Sequence, residues 1–187
     1  MGRIRFGIKN AHYATATTDA STGVMTYETP VAIPGAKAIS LDAQGETVKE
    51  FADNSVWYST VTNNGYSGTL EFEDTAAADT FIETVLSQTK DTTSGVVTEK
   101  ASDEPKEFAL GFQFDLAGGT ETGKRTWLVR CTASRPSLAG QTKEESIAVQ
   151  TNTVNIEAVP RIADDVVKLS CNSSDSAYAT FFSAVEA

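Results

Sequence analysis

The chain carries a single histidine, His12, and only two cysteines, Cys131 and Cys171, in 187 residues. That scarcity argues against a zinc site, because one imidazole and two distant thiols do not make a zinc centre. No Asp-x-Asp-x-Asp-Gly run offers a calcium loop. A lone disulfide between them is possible, but a chain this long buries a substantial core without staples. The two cysteines read as free, mostly buried thiols. Basic residues are in deficit, 15 against 25 acidic, which leaves a net charge of −10. An acidic surface repels phosphate, which counts against a protein that grips DNA. The same charge also serves plain solubility. No apolar run is long enough to span a membrane. Nor does an apolar stretch follow Met1, since Gly2-Arg3-Ile4-Arg5-Phe6 is already amphipathic, so no secretion signal is expected.

Catalytic constellations are also missing. Gly118-Gly119-Thr120-Glu121-Thr122-Gly123-Lys124 has P-loop spacing, but Arg125 replaces the magnesium-binding Ser or Thr. Thr126-Trp127-Leu128-Val129 then reads as strand, whereas a P-loop opens a helix. A hairpin loop is the sounder reading. Gly65-Tyr66-Ser67-Gly68 lacks the last spacer of a nucleophile elbow. The acidic pairs Asp103-Glu104 and Glu144-Glu145 fall in polar loops, where solvated surface is expected. Lys124, Arg125, Arg130 and Arg135 form the densest basic group, spread along one hairpin, where pairing with acids of another subunit is as open as any other role. Neither enzymatic activity nor a cofactor is expected.

What is present is β-type alternation. Ile4, Phe6 and Ile8 mark a short first strand. Asn10 to Gly35, rich in Thr, Ala, Ser and Gly, reads as a long loop or arm, although Val24 to Tyr27 equally suits half of a protruding hairpin. Ala38 to Leu41 is extended and Asp42-Ala43-Gln44-Gly45 reads as a turn. Val48 to Phe51 and Val56 to Thr62 are further strands. The Asn63-Asn64-Gly65 turn predicts a hairpin over Tyr58 to Phe72. One helix is predicted over about 75–88, capped by Asp74, with Ala78, Phe81, Ile82, Val85 and Leu86 on its apolar face. Phe108, Leu110, Phe112 and Phe114 alternate most cleanly and pair through the Gly118-Gly119 turn with Thr126 to Ser134. Ile147 to Ala158 and Val166 to Cys171 complete the strands. Asp175 starts a final helical turn with Ala177, Tyr178, Phe181, Phe182 and Val185 inward. Both tryptophans, Trp57 and Trp127, sit in strands and are expected to be buried. The result is one mainly β domain, an antiparallel β-sandwich or barrel with a flanking helix.

Several segments together resemble the major tail protein of long, non-contractile-tailed bacteriophages and related prophages. They are 6–13 (Phe-Gly-Ile-Lys-Asn-Ala-His-Tyr), 30–36 (Pro-Val-Ala-Ile-Pro-Gly-Ala), Ile39-Ser40-Leu41-Asp42 and Asn63-Asn64-Gly65-Tyr66-Ser67-Gly68. They continue with Pro105-Lys106-Glu107-Phe108-Ala109-Leu110, Cys131-Thr132-Ala133-Ser134-Arg135-Pro136-Ser137 and Thr142-Lys143-Glu144-Glu145-Ser146-Ile147. The resemblance runs nearly end to end. It implies a single tail tube domain over 1–187, without the C-terminal immunoglobulin-like domain of some relatives. Its implied function is structural: hexameric rings stack into a hollow tube, and sheets of neighbouring subunits join around the bore through which DNA passes. Its implied partners are other copies of the chain and tape-measure, tail-tip and tail terminator proteins, with no specific DNA binding and no membrane. The implied location is the virion tail, assembled in the host bacterial cytoplasm.

Under this resemblance the 10–35 segment is an inter-subunit arm, with Tyr13, Val24, Met25, Tyr27 and Ile33 as candidate anchors. Alternation places Leu70, Phe72, Val154 and Ile156 toward the core. Thr69, Glu71, Glu73, Thr153, Asn155 and Glu157 are then candidate lumen residues, whose carboxylates would keep phosphate off the wall. Other readings are the tube of a tailocin or injection machine, a monomeric ligand-binding sandwich using Trp57 or Trp127, and, third, an enzyme.

Overall fold

The computed structural model describes residues 3–138, 140, 142 and 151–186. The strands are β1 (Ile4–Thr18), β2 (Met25–Tyr27), β3 (Val31–Ile33), β4 (Ala36–Gln44), β5 (Thr47–Ala52), β6 (Ser55–Val61) and β7 (Gly65–Glu73). Helix α1 (Ala76–Val85) follows, then β8 (Thr89–Lys90), β9 (Val97–Thr98), β10 (Phe108–Ala117), β11 (Gly123–Ala133), β12 (Thr151–Ala158), β13 (Lys168–Asn172) and a 3₁₀ turn at Ser176–Thr180. The main sheet runs in the order β2-β1-β10-β11-β12-β7-β4, with β3 added to β1 and β13 to β11. Its pairings are all antiparallel. The protein is therefore mainly β, with one flanking α-helix among the described residues, as the alternation predicted.

The alternation of β10 explains its central place. Phe108, Leu110 and Phe112 enter the main core with Leu70, Phe72, Leu128, Val154 and Ile156. Ala109 points to the other face, beside Trp127 and Val185. The β10–β11 hairpin forms as expected. A register shift between Phe108 and Leu110 lets both Cys131 and Leu128 face the main core. Helix α1 plugs one end of this core. Phe81 meets Tyr13, Phe72 and Phe108 edge-on, at ring-centre distances of 5.0, 6.0 and 5.5 Å. Each fully buried side chain of this kind stabilises by about 1.5–3 kcal/mol.

The chain's last segment covers the second face. Arg125 lies over the rings of Tyr178 and Phe182 at 4.1 and 4.9 Å and donates to the Tyr178 carbonyl. Trp127 donates its indole N–H to the Phe181 carbonyl at 2.8 Å, and Arg161 donates to the Glu186 carbonyl at 2.8 Å. Tyr178, Phe181 and Phe182 are half-buried and Val185 is buried, but Ala177 faces solvent, contrary to expectation.

The largest correction concerns Asn10 to Gly35. It is not a free arm: β1 continues to Thr18, and β2 and β3 fold back on it, Met25–Tyr27 forming half of a hairpin as the alternative reading had it. The strand tolerates its mixed composition because it bends. Register shifts flank Gly7 and Asn10, both in left-handed conformation (φ 61° and 52°). Tyr13, Met25 and Ile33 are consequently buried in this chain's own core, at 4%, 1% and 1% exposure.

Three smaller corrections follow from turn chemistry. β6 pairs with β5 and not with β7, so the hairpin predicted over Tyr58 to Phe72 does not form. Asp53 and Asn54 are both left-handed (φ 50° and 62°), which is what a two-residue type I′ hairpin turn requires. β4 runs on through Asp42-Ala43-Gln44, which is strand and not turn. Thr75, not Asp74, caps α1, its hydroxyl accepting from the Ala78 N–H at 3.1 Å. Of the long strand predicted from Ile147, residues 147–150 lie outside the described residues.

Candidate assembly surfaces

Nothing among the described residues gathers into a chemical centre. No group of three His, Cys, Asp or Glu side chains is placed to hold a metal. His12 stacks on Phe182 at 4.6 Å and bonds the Asn10 carbonyl through Nδ1 at 2.9 Å, a packing role. Both cysteines are free and buried, and burial pushes the Cys131 thiol far above its usual range. The P-loop-like glycines form the β10–β11 turn, with the Leu116 N–H bonded to the Thr122 carbonyl at 3.0 Å. No described helix is long and apolar enough to cross a membrane.

Three surfaces stand out instead. The first is the outer face of β4, β7 and β12. The cross-strand register sets Thr151, Thr153, Asn155 and Glu157 opposite Glu73, Glu71, Thr69 and Ser67. On the other side of β7, Ala38, Ser40 and Asp42 face Glu71, Thr69 and Ser67. Thr69, Glu71, Glu73, Thr153, Asn155 and Glu157 thus share one solvent-reached face, while Leu70, Phe72, Val154 and Ile156 are buried beneath it. The face is polar and acidic. Lys37 is the cation that pairs on it, with Glu71 at 3.3 Å. A hydrogen bond from Thr151 and the Lys37 ammonium hold the Glu71 carboxyl below its usual value.

The second surface is the β5–β6 hairpin. Every residue of β5 is exposed, and β6 is nearly so. Phe51, Trp57, Tyr58 and Val61 are 69%, 75%, 57% and 72% exposed. The register steps from Glu50↔Tyr58 to Phe51↔Val56, so Trp57 is the extra residue of a bulge. Its exposure corrects the expectation of burial; only Trp127 is buried, at 1%. A lone two-stranded hairpin is marginal in water, and contiguous exposed apolar surface is uncommon on proteins that act alone. The sequence signal was Asp53-Asn54 between two β-type runs, a turn the stronger Asn63-Asn64-Gly65 signal outcompeted.

The third surface is the end of the main core opposite α1. There a cavity of about 200 Å³ opens between Ile39, Leu41, Phe112, Phe114 and Leu128. Arg5, Lys124 and Lys168 rim it, joined by Tyr66. Lys168 bonds the Tyr66 hydroxyl at 2.8 Å, and Arg5 lies 4.7 Å over the Phe114 ring. Among the described residues none of these three cations makes an ion pair. The rest of the basic group noted in the sequence is engaged: Arg130 with Glu107 at 2.6 Å and Arg135 with Glu99 at 3.0 Å, and Arg125 with the final segment.

Of the five anchor candidates, Val24 is exposed at 49%. Tyr27 is half-buried and donates its hydroxyl to the Val129 carbonyl at 2.9 Å. Tyr13, Met25 and Ile33 are core. No protein-family model and no curated protein matches the chain.

Proposed function

We propose that this chain is a tail tube subunit of a long, non-contractile-tailed bacteriophage or prophage, and that it self-assembles into stacked hexameric rings around a bore for DNA. The observation that carries this reading is the β5–β6 hairpin, an apolar projection left exposed along nearly its whole length among the described residues. Such a surface needs another molecule to cover it. The acidic outer face of β4, β7 and β12 supports the same reading. Carboxylates facing a bore keep phosphate from binding, and at physiological salt they act within about 8 Å of the wall. The tape-measure, tail-tip and terminator proteins are the proposed further partners, and the virion tail the proposed location. A tailocin or injection-machine tube would use the same surfaces.

Exposed Trp57 favours a second reading, a monomeric sandwich that binds a ligand through that ring. It stands on a projecting ribbon and not in a concave site of the kind ligands prefer.

Negative-stain electron microscopy across a concentration series tests the proposal. Hollow tubes or stacked rings are the expected result. A protein that stays monomeric at every concentration, and also with tail-tip and tape-measure proteins added, overturns it.

A further inference from the structure

Resting on the assembly reading above, we infer that the cation-rimmed open end of one subunit's core is the seat for the β5–β6 hairpin of a second copy. Three observations fit the two surfaces to each other.

The first is charge. The chain carries a net charge of −10, so copies repel unless a local match offsets that repulsion. The open end presents Arg5, Lys124 and Lys168, and no carboxylate lines it. The hairpin and its base carry Glu46, Glu50 and Asp53 against the one cation Lys49. Neither set is neutralised within the described residues. Complementary patches steer the encounter and fix the register of docking.

The second is shape. Cavities of about 150 Å³ accept a benzene-sized ring. The cavity of about 200 Å³, walled by Ile39, Phe112 and Phe114, therefore has room for one aromatic side chain. Trp57 is the most exposed aromatic of the chain, and the bulge at that point turns it out of the pairing plane. Tryptophan is also among the residues that most often dominate interfaces.

The third is reach. With a rise of about 3.3 Å per residue, β5 and β6 project roughly 20 Å from the sheet. The hairpin's base is tied down by the Asn64 N–H to the Gln44 carbonyl and the Thr62 N–H to the Glu46 carbonyl, both at 2.9 Å. The ribbon therefore extends away from the subunit that bears it.

The experiment places a photo-crosslinking phenylalanine analogue at Trp57 of the full chain and maps the product by mass spectrometry. In parallel, K124E/K168E, E50K/D53K and the combined four-substitution chain are assembled and sedimented. Crosslinks from Trp57 to the peptides bearing Ile39, Phe112 or Phe114 of another copy are expected. Each charge-reversed pair should raise the assembly concentration at least tenfold, and the combined chain should recover most of that loss. Circular dichroism confirms that each variant is folded. Wild-type tubes whose crosslinks map elsewhere, or tubes formed by K124E/K168E at the wild-type concentration, overturn this seat and leave the assembly reading standing. A wild-type chain that never assembles, also with tail-tip and tape-measure proteins added, overturns both.

Discussion

Asp165 occupies, in the turn before Val166, the position that Gly95 occupies in the turn before Val96. In both, the first residue's N–H bonds the valine carbonyl at 2.9 Å, and the fifth residue's N–H returns to the first carbonyl at 2.9 and 2.8 Å. The turn from Asp19 to Val24, with Gly23, repeats the pattern. The fourth side chain, Thr22, Ser94 or Asp164, accepts from the valine N–H each time. All three fifth residues are left-handed, with φ of 72°, 73° and 59°.

A non-glycine residue pays a steric cost in that conformation. Asp165→Gly should therefore stabilise the fold by about 0.5 kcal/mol, after allowing for the freer unfolded chain. Gly95→Ala should destabilise by about 1 kcal/mol, although an added methyl group would meet nothing within 4 Å. Urea unfolding of both variants measures the difference; equal midpoints would show that the left-handed backbone is not the deciding factor.

Gly111 tests the second face of the sheet. A methyl group there would lie 2.7 Å from the Trp127 ring, and that ring cannot retreat without breaking its bond to the Phe181 carbonyl. Gly111→Ala should cost about 1–3 kcal/mol. A red-shifted or quenched tryptophan emission should accompany the loss, since the indole is displaced toward solvent.

Glu107 predicts an acid limb of stability. Burial pushes its carboxyl up, but hydrogen bonds from Arg130 (2.8 Å) and Thr18 (2.6 Å) and the arginine charge outweigh it, leaving it below its usual value. A lowered folded value means that the contribution is present above the unfolded pKa of about 4.3 and is lost as pH falls through the folded one. Glu107→Gln should thus cost about 1 kcal/mol at neutral pH, a value discounted for the solvent that reaches the pair. Thermal melts of the two chains should converge as pH drops below 4; a gap that stays constant with pH would contradict the pairing.

The hairpin should be dispensable for folding. Replacing 47–61 by a short Gly-Ser link should leave the melting midpoint within about 3 °C, because the deleted residues bury almost nothing of the core. The same deletion should abolish tube formation in the microscope. A large drop in melting temperature would instead make the hairpin part of the fold.

Glu71, Glu73 and Glu157 share the outer face of β7 and β12, so lysine at all three should preserve tubes yet impair DNA delivery. Infectivity of phage carrying the triple variant decides this, and unchanged titres would remove the face from the bore.

Local alternation was enough to read β10, β11, β12 and α1 from the sequence, because each buries one periodic face and the period alone says which residues share it. It was enough too for Glu71, Glu73 and Glu157: on a paired strand, knowing that Leu70 and Phe72 are inside fixes their neighbours outside. What the sequence could not settle was partner choice. Asn10 to Thr18 looks like loop because its side chains are small and polar; it becomes strand because β10, β3 and β2 supply hydrogen bonds on its edges. The Asp53-Asn54 and Asn63-Asn64-Gly65 turns compete for β6, and the left-handed pair at 53 and 54 wins. Arg5, Lys124 and Lys168 are remote in sequence, so only the closing of the sheet brings their charges to one rim. Pattern determines which face of a strand is wet; tertiary pairing decides which strand lies beside it, because backbone hydrogen bonds carry no record of side-chain identity.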